Sequence, residues 1–212
     1  MKRLVVSLFL FLSVALGVSA DQKTGCILAQ KGALEVSWTG YKTDDKIAVG
    51  GTFNKVVYTP VAPQGSNFRS ILVGSSVTID TASVNSKNGA RDEKLAKFFF
   101  GMMSDKNIYA KIVDIRAHKK VRDAPRMGVV KVDITMNGIT KNIFMTYTFK
   151  DGIFEAKGKI DILDFGADNA LASINKACFD LHKGKTWSEA EVGFKTKIEA
   201  ILCHSKPLEM SK

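Results

Sequence analysis

The stretch Val129-Val130-Lys131-Val132-Asp133-Ile134-Thr135-Met136-Asn137-Gly138-Ile139-Thr140-Lys141-Asn142-Ile143-Phe144-Met145-Thr146-Tyr147-Thr148-Phe149-Lys150-Asp151-Gly152-Ile153, continuing to Ile162, decides the fold. Asn137-Gly138 and Asp151-Gly152 sit between long alternating runs, and both dipeptides supply the positive φ that two-residue hairpin turns demand. Val130, Val132, Ile134 and Met136 share one face of the first run, and Ile143, Met145, Tyr147 and Phe149 share one face of the second. Three consecutive antiparallel strands follow from this pattern alone.

Outward from this meander the same period continues. Leu34, Val36 and Trp38 alternate in 34–41; 47–58 reads as a second strand whose Gly50-Gly51 pair permits a bend, 68–79 as a third and 107–117 as a fourth. The last strand, 190–202, sets Val192, Phe194, Thr196 and Ile198 against charged neighbours. Two stretches break the period. From about Ala90, Leu95, Phe98, Phe99 and Met102 recur at helical spacing; in 168–183, Leu171, Ile174, Cys178 and Leu181 do the same, with Gly184 just past the end. The count is about eight strands and two short helices. A two-sheet sandwich has a similar count, but meander hairpins and long strands favour an all-β, extended eight-stranded antiparallel lipocalin-like barrel, with the helices covering its mouths.

Residues 1–20 read as a cleaved secretory signal: Lys2-Arg3, an apolar run from Leu4 to Val14, and Val18-Ser19-Ala20 before a polar stretch. The run is too short for a retained membrane helix. The sequence therefore predicts an exported protein of the periplasm, not an integral membrane protein, with a tail at 21–32, a barrel domain over 33–203 and a second tail at 204–212. The chain of 212 residues carries a formal charge of +10, which falls to +8 without Lys2 and Arg3. A basic surface attracts anionic lipids or acidic partners. No RNA-binding aromatic motif is present, so nucleic acid is not an expected partner.

Five elements in order resemble one family: Gly51-Thr52-Phe53, Ile79-Asp80-Thr81-Ala82-Ser83, Asn88-Gly89-Ala90-Arg91-Asp92 with Leu95 and Phe98-Phe99, Asn137-Gly138-Ile139-Thr140-Lys141, and Asp164-Phe165-Gly166. Over roughly residues 33–202 the chain is similar to the YceI-like family of bacterial exported proteins. The resemblance implies a barrel with a long apolar tunnel that holds a polyisoprenoid or similar long-chain amphiphile, and binding in place of catalysis. Family members often carry a histidine before the leucine that here follows Glu93-Lys94, and the insert at 168–186 is longer than in the simplest members.

On this reading the tunnel contacts are Trp38, Phe53, Phe98, Phe99, Met102, Met136, Met145, Phe165, Trp187 and Phe194, chosen for inward phase or proximity to the mouths, with Arg91 as a head-group candidate. Burying an alkyl chain gains ~0.8 kcal/mol per methylene, so ~15 carbons supply about 12 kcal/mol before the cost of immobilisation. The structural alternative for Arg91-Asp92 is a helix start, Asp92 favouring the dipole and Arg91 pairing with a loop carbonyl. Three cysteines leave one unpaired. The first and last strands of a closed eight-stranded barrel are neighbours, so Cys26 before the first is expected to bond Cys203 at the end of the last, leaving Cys178 as a buried thiol.

Cys178 and His182 share a helix face, but two ligands do not make a zinc site, and no orienting group marks a nucleophilic pair. No metal, cofactor or catalytic residue is therefore expected beyond the bound lipid. Asp164-Phe165-Gly166 stands without any other kinase motif and reads as a turn. The partners expected are the amphiphile itself and inner-membrane proteins linked to isoprenoids or quinones; the oligomeric state, including a homodimer, stays open. Two rival readings remain: an enzyme of isoprenoid, quinone or lipid metabolism using the same tunnel, and a basic adaptor for an acidic or membrane-associated partner.

Overall fold

The structure, a computed structural model, describes residues 25–204; the export signal expected at 1–20 lies outside the described residues. Eleven strands form one antiparallel sheet: β1 (Gly25–Lys42), β2 (Ile47–Phe53), β3 (Val56–Thr59), β4 (Gln64–Gly65), β5 (Ser76–Asp80), β6 (Val84–Asn85), β7 (Asn107–Ala117), β8 (Arg126–Met136), β9 (Ile139–Lys150), β10 (Ile153–Asp161) and β11 (Glu189–His204). Four helices interrupt it: α1 (Phe68–Leu72), α2 (Gly89–Phe98), α3 (Asp168–Ala177) and α4 (Phe179–His182). Both hairpin turns read from the sequence are present. Asn137 and Gly138 have φ of 52° and 77°, Asp151 and Gly152 of 50° and 79°, as type I′ turns require.

The hydrogen-bonded order is β3-β5-β7-β8-β9-β10-β11-β1-β2-β6. Its two ends are joined, because β2 and β3 are halves of one bent strand and β5 and β6 are halves of its partner. At the corner, Asn54 N donates to Ser83 O (2.9 Å), Asp80 N to Lys55 O (3.1 Å) and Lys55 N to Ser83 Oγ (2.9 Å), which carries the pairing across the bend. The ring is thus a closed barrel of eight strands, with no unpaired first or last strand. One stretch of wall is looser. The β9–β10 ladder runs from Lys150↔Ile153 to Thr146↔Lys157 and stops, and below it Asn137 Nδ2 fastens the two sides by donating to Phe165 O and Gly166 O, both at 3.0 Å.

Three expectations need correction. Residues 25–32 are not tail: β1 begins at Gly25 and pairs with β11. The stretch 68–79 is not a single strand, because Asn67 and Ser70 form a capping box that starts α1, with Ser70 N donating to Asn67 Oδ1 (2.9 Å) and Asn67 N to Ser70 Oγ (3.1 Å). The bend in 47–58 falls at Asn54-Lys55 and not at the glycine pair. Gly51 instead serves close packing: a Cβ there would stand 2.8 Å from Trp38 Cζ2 and 2.5 Å from Asn85 O.

The barrel interior is filled unevenly. At the end where β1 starts, α1 pushes Phe68 inward, its ring 4.8 Å from Phe149, 5.1 Å from Phe154 and 5.9 Å from Tyr147, centroid to centroid. Tyr147 stacks on Phe154 at 4.6 Å. Gly128 makes room for this layer, since a Cβ there would lie 2.6 Å from the Tyr147 ring and 2.1 Å from Arg116 O. The opposite end is covered by α2 and α3, which pack on one another. Those two helices cover a mouth as the sequence indicated; the plug made by α1 was not foreseen.

Cys26 and Cys203 are direct partners across β1 and β11 and are joined by a disulfide, while Cys178 is a buried free thiol. The bond closes a loop with a sequence separation of 177 residues. Replacing both cysteines by serine is expected to lower stability by about 2–4 kcal/mol, the range for bonds closing long loops, without loss of the β-sheet circular dichroism signal. The denaturation midpoint measures it. Tyr147 is wholly buried, and its hydroxyl has no hydrogen-bond partner among the described residues. Burial pushes its pKa up. Tyr147→Phe is therefore expected to leave the melting temperature unchanged or raise it by the equivalent of roughly 1 kcal/mol, where a hydrogen-bonded tyrosine would lose that much.

Candidate functional site

Above the aromatic plug the inward residues become smaller, and the barrel is hollow. Leu34, Val36, Ile112, Val132 and Ile134 are among the side chains lining a cavity of about 510 Å³, within the range of small-molecule sites. It runs from Tyr58 and Ser75 above the plug to the mouth beneath α2, α3 and α4. The Tyr58 hydroxyl in this lining is satisfied from outside it: Tyr58 Oη donates to Gln30 Oε1 (2.6 Å), and Gln30 Nε2 donates to Thr196 Oγ1 (2.9 Å). Burial raises the Tyr58 pKa.

Of the residues chosen from the sequence, Trp38, Phe53, Phe99, Met136, Met145, Trp187, Phe194 and Arg91 line this cavity. Phe98, Met102 and Phe165 do not. Phe98, the last residue of α2, shares the helical phase of Arg91, Lys94 and Leu95 but does not reach the cavity; the Lys97 ammonium lies 5.1 Å from its ring, and Phe99, just past the helix, lines the cavity instead. After Phe99 the chain tightens into a 3₁₀ turn over Phe100–Met102, which turns Phe100 and Met103 inward and leaves Met102 52% exposed. Phe165 is fully buried in packing at the 3₁₀ turn Ile162–Phe165, and Gly166 follows it at φ 60°.

The mouth is built from three places. Asn88 caps α2, its Oδ1 accepting from Arg91 N at 3.1 Å. Arg91 Nε donates to Ser86 Oγ (2.7 Å) and Nη2 to Ser86 O (2.9 Å), while Asp92 accepts from Ser86 N (2.9 Å) and from the Ser86 hydroxyl. The loop-carbonyl pairing weighed for Arg91 is therefore real, and the side chain still borders the cavity. Trp187 is fixed by its indole N–H donating to Thr43 O (2.7 Å), with Lys46 and Lys185 ammonium groups 4.5 and 4.6 Å from its ring centre. His182 closes the third side. Thr186 Oγ1 donates to Asn175 Oδ1 (2.8 Å), so the 2.7 Å contact between His182 and Thr186 takes its proton from His182 Nδ1. Burial, and then the charges of Lys42 and Lys94, lower the His182 pKa.

Cys178 also lines the cavity, and its carbonyl accepts the His182 backbone N–H (2.8 Å). Among the described residues no group of three or more His, Cys, Asp or Glu is placed to hold a metal. Val132 and Ile134, not counted among the tunnel contacts, also line the cavity and carry the same alternation signal as Met136. The cationic positions at the mouth carried none.

A closed antiparallel barrel with an apolar bore, plugged at one end and open beneath a helical cover at the other, defines a lipocalin-like class of barrel. The model of the YceI-like domain matches residues 30–200, and the chain belongs to that family. Among solved structures, a polyisoprenoid-binding domain from Saccharophagus degradans implicated in plant cell wall breakdown aligns with a TM-score of 0.52 and 13% identity, covering 84% of this chain and 99% of that one. BcnA of Burkholderia cenocepacia aligns with a TM-score of 0.50 and 15% identity, covering 78% and 96%. The Campylobacter jejuni YCEI protein is 21% identical, with a TM-score of 0.48 and coverage of 71% and 85%. No curated protein sequence matches the chain.

The mouth is also held by an ionic clip. Glu189, at the start of β11, accepts from Lys46 (2.6 Å) in the β1–β2 turn and from Lys159 (2.9 Å) on β10. These partners lower its pKa from 4.5 to about 2. A carboxyl with a depressed folded pKa contributes stability above its ordinary value and loses it as pH falls through the folded one. The Glu189 contribution is therefore expected to fade between pH 4.5 and about 2. Acid titration of the melting temperature should be shallower in Glu189→Gln than in the unaltered protein across that window.

Proposed function

We propose that the protein binds a long-chain amphiphile in its bore, as a carrier or store for a polyisoprenoid, a quinone-like lipid or a fatty amide, and that it does so in the periplasm after export. One observation carries this reading: the continuous apolar cavity inside a closed ring of strands. Water in such a space meets few polar partners, whereas an alkyl or isoprenoid chain gains about 0.8 kcal/mol for each methylene taken out of solvent. Membership of the YceI-like family and the likeness to a polyisoprenoid-binding domain support it. Among the described residues no helix is long and apolar enough to cross a membrane. Binding, in place of turnover, is favoured by a lining that is mostly aliphatic and aromatic and whose Tyr58 phenol already donates to Gln30.

Native mass spectrometry of the protein purified from a bacterial periplasm, with extraction of what travels with it, tests the proposal directly. Ala110 lines the bore in the middle of β7, paired with Val77 and Ile134. Ala110→Phe is expected to displace the lipid while changing the melting temperature of stripped protein little, since a hollow takes a ring that a solid core rejects at a cost of roughly 1–3 kcal/mol. Stripped, correctly folded protein that takes up no amphiphile of any kind overturns the reading.

A further inference from the structure

The charges at the mouth say what kind of amphiphile enters. Lys42 ends β1, and Arg91 and Lys94 lie one turn apart on α2. All three line the cavity and are half-buried. Some lysines, such as Lys46, Lys159, Lys195 and Lys197, stand within ion-pair distance of a carboxylate; exposed ones such as Lys87, Lys97 and Lys111 do not and are met by solvent, whereas Lys42 and Lys94 border an apolar cavity. Among the described residues no carboxylate lies within that distance of Lys42, Lys94 or Arg91. The nearest acid in sequence, Asp92, accepts from the Ser86 backbone N–H and hydroxyl.

Taking cations partly out of water without a counter-charge is unfavourable, and a proton on neighbouring His182 is disfavoured first by burial and then by the Lys42 and Lys94 charges. Arg91 is held in position by Ser86 through Nε and Nη2, which leaves guanidinium donors beyond those two. His182 Nδ1–H is engaged by Thr186, so the neutral ring turns an acceptor nitrogen to the opening, and the donors for a guest are those of Lys42, Lys94 and Arg91. Preorganised donors of one sign around an apolar opening are complementary to a single chemistry, an anionic oxygen group on an apolar stem.

We propose that the mouth is an anionic head-group site, so that the guest is a long-chain amphiphile ending in a carboxylate or a phosphate, with Lys42, Lys94 and Arg91 as its counter-charges. This rests on the reading of the bore as a chain-binding cavity. The tail lies among the aliphatic strand positions, and the head stops at the level of α2 and the end of β1.

The test compares three probes of equal chain length on lipid-stripped protein: a fatty acid, an alkyl phosphate and the primary alcohol. Quenching of Trp38 and Trp187, which both line the cavity, reports binding. The two anions are expected to bind about tenfold or more tightly than the alcohol, as charge-assisted contacts allow, and to lose that advantage as salt is raised while the alcohol does not respond. Lys42→Gln with Lys94→Gln should remove most of the anions' advantage, leaving only what Arg91 supplies, and leave the alcohol unchanged, which also shows that the variant folds. Lys94→Arg should keep the preference. Equal affinity of acid, phosphate and alcohol for the unaltered protein, or a preference insensitive to salt and to both lysines, overturns the head-group site while the cavity reading stands. Failure of all three probes to bind overturns both.

Discussion

The structure depends on the continuity of one hydrogen-bonded ring. β1 pairs along nearly its whole length with β11, and the paired bends at Asn54-Lys55 and Thr81–Ser83 carry the ladder round the remaining corner. With no free edge, alternate side chains on every strand are committed to the inside, and what those side chains are decides whether the inside is solid. Near α1 they are aromatic and meet in the middle. Toward α2 and α3 they are mostly branched aliphatics and methionines, too short to meet, and a hollow follows from that change of girth. The same ring thus supplies a floor and a bore without any change in backbone plan.

Much of this was legible in the sequence because the local signals were strong and agreed with each other. Asn-Gly and Asp-Gly tied the three central strands, and strict alternation named their inner faces. The disulfide followed from topology once closure was assumed. What escaped has physical reasons. The Asn67-to-Ser70 capping box is a two-residue signal inside a run that reads as strand, and one local cap outweighed it. In 95–102 the helical period was visible, but the switch from α to 3₁₀ geometry at Phe99 re-aimed the last aromatic and methionine, which no periodicity reveals. Lys42, Lys94 and His182 are far apart in sequence and ordinary in context, and only the fold brings them to one opening.

The cover over that opening differs in kind from the floor below. No residue of α2 is fully buried, whereas α1, half its length, buries Phe68, Ile71 and Leu72. Segments with few buried contacts open locally at small free-energy cost, so α2 belongs to the low-stability part of the molecule and the aromatic floor to the high-stability part, with α3, which buries Ala170 and Ile174, between them.

The cross-link between Cys26 and Cys203 lies at the rim away from the opening, where the strand ends are bonded chemically. At the other rim the corresponding task falls to Glu189 between two lysines, a fastening that protons and salt loosen. The molecule is therefore a vessel with a welded base and a laced collar: reductants act on the one, and an acidic or highly ionic surrounding on the other.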